Sequence, residues 1–160
     1  RHTRRSHLFE WSASVSAIQT PVADTMIRGI HHINLLVRDL DDAMERYRRM
    51  LGVDDFIIDS LEGRAVRTAR FRTGDSWIVL VQPTGPGEPQ RVLDEQGEGL
   101  FLLSFDVDDL DSAGEHITQA GGALRGEPRR GLEGWSVIDV APESLCGAQI
   151  QLAEDAQKND

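Results

Sequence analysis

The sequence predicts an α+β fold made of two tandem βαβββ modules that share one sheet. Three observations carry this. The segment 29–41 lies over 99–111 without a gap, an offset of 70 residues, and the match continues with Ala43 over Ala113, Glu45 over Glu115 and Gly52 over Gly122. In each copy an alternating apolar run is followed at once by an Asp and a stretch with apolar residues at helical spacing. Three short strand-like runs, separated by glycine turns, then complete each copy.

Taken in order, residues 30–37 read as a strand from their period-2 pattern and β-branched content. Asp39 is a helix N-cap, Leu40, Met44, Tyr47 and Leu51 mark one helix face, and Gly52 is the stop. Strands are expected at 54–59, 64–72 and 75–82, with turns at Gly63 and Gly74-Asp75. The run from Pro83 to Pro89 is too rich in Pro and Gly for an element, so 84–98 is read as a linker. The second copy has a strand at 100–107, a helix capped by Asp109 with Leu110, Ala113, Ile117 and Ala120 inward, and a stop at Gly121-Gly122. Strands near 123–126, 134–140 and 147–153 follow. The modules are therefore 27–83 and 99–154, flanked by an extension over 1–26, expected to be disordered or not native, and a tail over 155–160.

The chain has 160 residues and is 39% hydrophobic, enough for one core or two half-domains sharing one. A net charge of −10 argues against nucleic acid and against an anionic membrane surface, both of which need a basic face. No apolar run is long enough to span a bilayer. The single cysteine, Cys146, excludes an intrachain disulfide framework and a cysteine-rich zinc site; it is read as a small buried residue at a strand start, and the cytoplasm is the expected compartment. Sixteen of the seventeen basic residues are arginine, which suits a GC-rich bacterial genome. The arginines and serines ahead of Met26 suit either a transit segment or an upstream extension, and the extension is the expectation.

Strand alternation separates two faces. Ile33, Leu35, Val37, Phe101, Leu103, Phe105 and Val107 form a wholly apolar set suited to lie under helices. His32, Asn34, Leu102 and Ser104 share the other parity, as do Gln149 and Gln151 in the last strand. A sheet face carrying these polar groups among apolar ones suits a pocket lining. The strand 77–81 is apolar on both faces, so burial on both sides is expected.

Paired modules opening with His-His-Ile-x-Leu-x-Val-x-Asp-Leu resemble the vicinal oxygen chelate superfamily, which includes glyoxalase I, methylmalonyl-CoA epimerase, extradiol dioxygenases and bleomycin-resistance proteins. The likeness covers about 29–154. Residues 97–100, 107–110, 141–144 and 147–152 are similar in spacing to the epimerase and glyoxalase branch. The resemblance implies a cupped mixed sheet with helices on its convex face, and commonly a homodimer. It also implies a divalent metal held by four side chains in the cup, one from each of the first, fourth, fifth and eighth strands. These positions fall on His32, Val79, Leu102 and Gln151. Val and Leu have no donor atom and an amide is a weak ligand, so no metal and no other cofactor is expected. The epimerase type also implies a carboxylate base at the eighth or the fourth strand, and the amide at Gln151 cannot take a proton.

Other constellations are weaker. His31 and His32, adjacent in a strand, should face opposite ways, leaving His31 packed or capping. His116 beside Glu115 reads as solvated. Arg64, Arg67, Arg70 and Arg72 read mostly as surface charge, with one able to meet an anionic ligand. The aspartates at 39–42 and 106–111 read as helix caps and first-turn acids, since a calcium loop's Gly and terminal Glu are missing.

The leading expectation is a metal-free protein binding a small molecule in a pocket lined by His32, Asn34, Trp77, Ser104, Gln149 and Gln151, with Trp77 as a stacking surface. A lyase or isomerase of the glyoxalase or epimerase type, using a degenerate site around His32, is the alternative. A regulator with a vestigial cup filled by its own side chains is the third.

Overall fold

The chain is described over residues 25–158 in a computed structural model, so the expectation for 1–24 and the last two residues lies outside the described residues. The first module runs β1 (Ile27–Leu36), α1 (Leu40–Leu51), β2 (Ile57–Leu61), β3 (Val66–Thr73) and β4 (Ser76–Pro83). After α2 (Glu88–Gln96) come β5 (Gly99–Val107), α3 (Leu110–Gln119), β6 (Leu124–Arg130), β7 (Ser136–Val140) and β8 (Ile150–Glu154).

The repeat becomes a symmetric sheet. Eight strands lie in the order β2-β3-β4-β1-β5-β8-β7-β6, with β1 and β5 antiparallel at the centre. In each half the first strand pairs in parallel with the last, β1 with β4 and β5 with β8, across an α-helical crossover. Helix starts follow the capping chemistry: the Asp39 carboxylate accepts from Asp42 N–H at 2.9 Å, and Asp109 from Ser112 N–H at 2.6 Å. Each start is also tied to its module's last strand, Leu40 N–H donating to Gln82 Oε1 and Leu110 N–H to Glu154 Oε2, both at 2.8 Å. Gly52 ends α1 at φ 67°, a left-handed conformation suited to glycine.

The two convex-face helices bury the apolar parity except Phe101. That ring, expected under the helices, packs in the concave cluster because the β1–β5 register shifts at Asn34/Leu35 and leaves it as an extra residue. Leu40, Ala43 and Met44 of α1 pack with Leu80 and Ala69, while Leu110 and Ala113 of α3 pack with Ile138, Val140 and Leu152. On the concave side Val79, Val81, Leu132, Trp135 and Val137 form a third cluster. Strand β4 is thus buried on both faces, as its sequence implies.

The expected linker is not free of structure. Helix α2 begins within it, and its Val92 and Leu93 join the concave cluster, so not all helices are convex. Pro89 stands in the first turn, where a missing N–H breaks no helical bond, and Arg91 pairs with Glu88 and Glu95, both at 2.7 Å. Cys146 also departs from expectation. It is exposed, at φ 57° in the turn before β8 rather than buried at a strand start.

Candidate functional site

The site begins at an irregularity in β1. Pairing with β5 steps from Ile30↔Phe105 to His32↔Ser104, which leaves His31 as an extra residue opposite no partner. Such a bulge breaks strand alternation and re-aims a side chain. His31 therefore does not face away from His32: the Nδ1 atoms lie 2.8 Å apart, and both rings are buried. Trp135 completes the group, its ring edge-to-face with His31 at 4.4 Å and stacked on His32 at 5.1 Å.

Behind His31 stands Asp155, with His31 Nε2 3.1 Å from its Oδ2. Expected to belong to a tail, Asp155 is instead buried against the sheet. A carboxylate only accepts, so Nε2 of His31 carries the proton and donates to it. The neutral His31 ring then has its lone pair on Nδ1, and His32 Nδ1–H donates to it. That leaves Nε2 of His32 as an acceptor. Burial pushes His31 below the ordinary imidazole range against the opposing pull of Asp155. Burial first, and the neighbouring His31 second, push His32 down to about 3. Gln151 donates from Nε2 to Asp139 Oδ1 at 3.1 Å, and Asp139 in turn pairs with Arg129 at 2.9 Å. Two polar chains thus meet at the cup, Asp155–His31–His32 from one side and Gln151–Asp139–Arg129 from the other.

The cup contains a cavity of about 300 Å³. His32, Asn34, Gln149 and Gln151 line it, whereas Trp77 and Ser104 do not. Trp77 is occupied elsewhere, between the guanidinium groups of Arg70 at 5.2 Å and Arg72 at 4.8 Å. Ser104 is fully buried between its register partners His32 and Gln151. The cavity also excludes the image of a cup filled by its own side chains.

Val79 and Leu102 line the same cavity as His32 and Gln151. The four positions where the family likeness implies a divalent metal therefore surround one space, but they offer one imidazole, one amide and two alkyl groups. Among the described residues no three His, Cys, Asp or Glu side chains gather into a metal-holding group. The residues present do not fit a catalytic divalent ion, which wants three protein ligands and an open position.

Five charged side chains also line the cavity: Arg64, Arg125 and Arg129, with Glu88 and Asp139. Arg129 is paired with Asp139, and Arg125 faces Glu88 at 3.9 Å. Among the described residues Arg64 has no ion-pair partner; its guanidinium donates to the Arg130 carbonyl, and burial, then Arg129, lower its pKa. An unpaired, half-buried guanidinium facing a cavity is suited to an anion.

The arginines at 64, 67, 70 and 72 read as mostly surface charge, yet Arg70 is 1% exposed, paired with Asp59 and Glu133 and in contact with the rings of Trp77 and Trp135. Through Glu133 it ties down the loop 131–135 that carries Leu132 and Trp135 over the cup. Trp135, His31, Asp155 and Arg70 were all missed as site residues. The adjacent histidines were the one available signal, and a strict period of two hid it.

A cupped eight-strand sheet of paired βαβββ modules, with a lined cavity between its halves, defines the class. The chain belongs to the glyoxalase/bleomycin resistance protein/dioxygenase superfamily, whose model matches residues 31–138. It is similar to the ethylmalonyl-CoA/methylmalonyl-CoA epimerase of Cereibacter sphaeroides, 26% identical over 133 residues that cover 81% of this chain and 99% of that one. Among solved structures it is similar to the methylmalonyl-CoA epimerase of Mycobacterium tuberculosis, with 27% identity and a TM-score of 0.79 over 86% of this chain and 95% of that one. It is also similar to a methylmalonyl-CoA epimerase in complex with methylmalonyl-CoA and NH4+, with 29% identity and a TM-score of 0.75, covering 81% and 96% of the two chains.

Proposed function

We propose that this chain binds a small organic anion in the sheet cup without a divalent metal. The observation that carries the reading is a single cavity with two properties: its wall at Val79 and Leu102 lacks metal donors, and its lining presents Arg64 without an ion-pair partner among the described residues. An apolar chamber with a few polar groups and one available cation is built to orient an amphipathic acid. Calorimetric titration of methylmalonyl-CoA, ethylmalonyl-CoA and short free carboxylates tests it. At least one should bind equally well with and without a chelator, and Arg64→Ala should weaken it about tenfold. No binding across the panel would end the reading.

A second reading has its own support: the similarity to acyl-CoA epimerases extends over nearly their whole length. On this reading the chain is an isomerase or lyase working around His32. Methylmalonyl-CoA incubated with the protein in D2O should then lose its α-proton signal by NMR, and His32→Ala should stop the loss. Failure to exchange that proton, despite tight binding, leaves the binding protein. A homodimer is part of the proposal, supported by the exposed Met50, Leu51 and Leu100; light scattering on the purified chain reads it directly.

A further inference from the structure

The sheet brings its own two ends together. The hairpins β2–β3 and β6–β7 lie at opposite ends of the strand order, yet two side chains reach from one to the other. Arg64, in the turn after β2, donates from its guanidinium to the carbonyl of Arg130, the last residue of β6. Arg70 of β3 pairs with Glu133, in the turn after β6. The cavity lies between these turns: Leu61, Arg64 and Val66 line it from one hairpin, and Gly131, Leu132 and Trp135 from the other.

The two turns are counterparts in the repeat. One spans Glu62–Arg64 and the other Leu132–Gly134, and 132 − 62 = 70 is the repeat's offset. Each includes or adjoins a non-glycine residue in the left-handed conformation, Ala65 at φ 50° and ψ 49°, Glu133 at φ 48° and ψ 29°. A residue with a Cβ disfavours that conformation and holds it only where surrounding contacts impose it. Arg70 imposes it on Glu133, and Thr84 N–H, donating to the Ala65 carbonyl at 2.7 Å, helps to fix the other turn. A strained segment fixed by a few polar contacts moves when they break.

Resting on the reading of the cup as an organic-anion site, we propose that the two turns form one strap across the cup, latched by Arg64 and Arg70, which opens to admit and release the ligand. The Arg64 guanidinium has five donors, so it can hold the Arg130 carbonyl and a carboxylate together. A bound anion thus joins the latch, and ligand and closed strap favour each other.

Hydrogen exchange on the whole chain reads the strap without any ligand. The probes are Ala65 N–H, bonded to the Glu62 carbonyl at 3.0 Å, and Trp135 N–H, bonded to the Leu132 carbonyl at 2.9 Å. Glu133 does not line the cavity, and Glu133→Gln weakens the latch. It should speed exchange about tenfold at both amides, in both modules, and far less in β4. Acceleration confined to Trp135, or equal acceleration in β4, overturns the strap and leaves the cup reading intact. Stopped-flow binding of methylmalonyl-CoA, ethylmalonyl-CoA and short carboxylates, followed by tryptophan fluorescence, then reads the gate. The wild-type rate should level off with ligand concentration, and Glu133→Gln should raise that plateau about tenfold. Rates that climb linearly and equally in both proteins overturn the gate even where binding is tight. If no ligand of the panel binds, the cup reading falls, and the gate with it.

Discussion

The Nδ1 atoms of His31 and His32 lie 2.8 Å apart although the two residues are consecutive in one strand. The bulge at Ile30/His32 is what permits it, and Asp155 behind His31 fixes which ring carries which proton. His32, which lines the cup, is thereby held as the Nδ1–H tautomer with Nε2 left as an acceptor.

Asp155→Ala should remove the acceptor for a fully buried N–H and destabilise the fold by about 1–3 kcal/mol, read from urea unfolding. The same substitution should disturb the tautomer of His32, visible in its ring 15N shifts. Unchanged shifts would show that Asp155 does not set the tautomer.

Acid should weaken the fold through these histidines. Above pH 6.5 neither the folded nor the unfolded chain holds a proton on His32. Between 6.5 and about 3 the unfolded chain takes one up and the folded chain does not, so stability falls as pH drops through that window. His31 is shifted in the same direction and adds to the fall. Carboxylates titrate in the wild type and in His32→Gln alike, so the wild type should lose more stability between pH 7 and pH 4 than the variant does. Equal losses would contradict the depressed value.

Arg70 gives an asymmetric prediction. Its partners Asp59 and Glu133 are 39% and 37% exposed, so in Arg70→Leu they regain water and the loss should be about 1–2 kcal/mol, much of it from lost contact with Trp77 and Trp135. Asp59→Asn with Glu133→Gln instead leaves a cation buried and unpaired, which should cost about 3–5 kcal/mol. Thermal unfolding of the two variants gives the order, and the reverse order would mean that Arg70 contributes chiefly as a hydrophobic filler.

Much of this was legible in the chain. The offset repeat gave both modules, Asp39 and Asp109 announced their helices, and strand parity put His32, Asn34, Gln149 and Gln151 on the cavity side. What escaped depends on contacts between segments distant in sequence. A bulge at His31 follows from how β1 meets β5, which no local pattern records. Asp155 lies 124 residues from its partner. The burial of Arg70 depends on a loop in the other module folding back over it. Helix α2 was hidden by a proline that initiates it rather than forbidding it.

Donor atoms can also be restored to the cup. Leu102→His with Gln151→Glu would join His32 in a three-ligand set, with His31 already holding His32 Nδ1 and leaving Nε2 to coordinate. The double variant should take up cobalt with tetrahedral absorption bands, and the wild type should not. Uptake by the wild type would mean that the ligand set has been misidentified.

The most direct measurement is titration of methylmalonyl-CoA, ethylmalonyl-CoA and short free carboxylates into metal-stripped protein, repeated with added Co2+. Metal-independent binding in the cup predicts the same affinity in both, lowered about tenfold by Arg64→Ala. Binding that appears only when Co2+ is present, or that ignores Arg64, would contradict it.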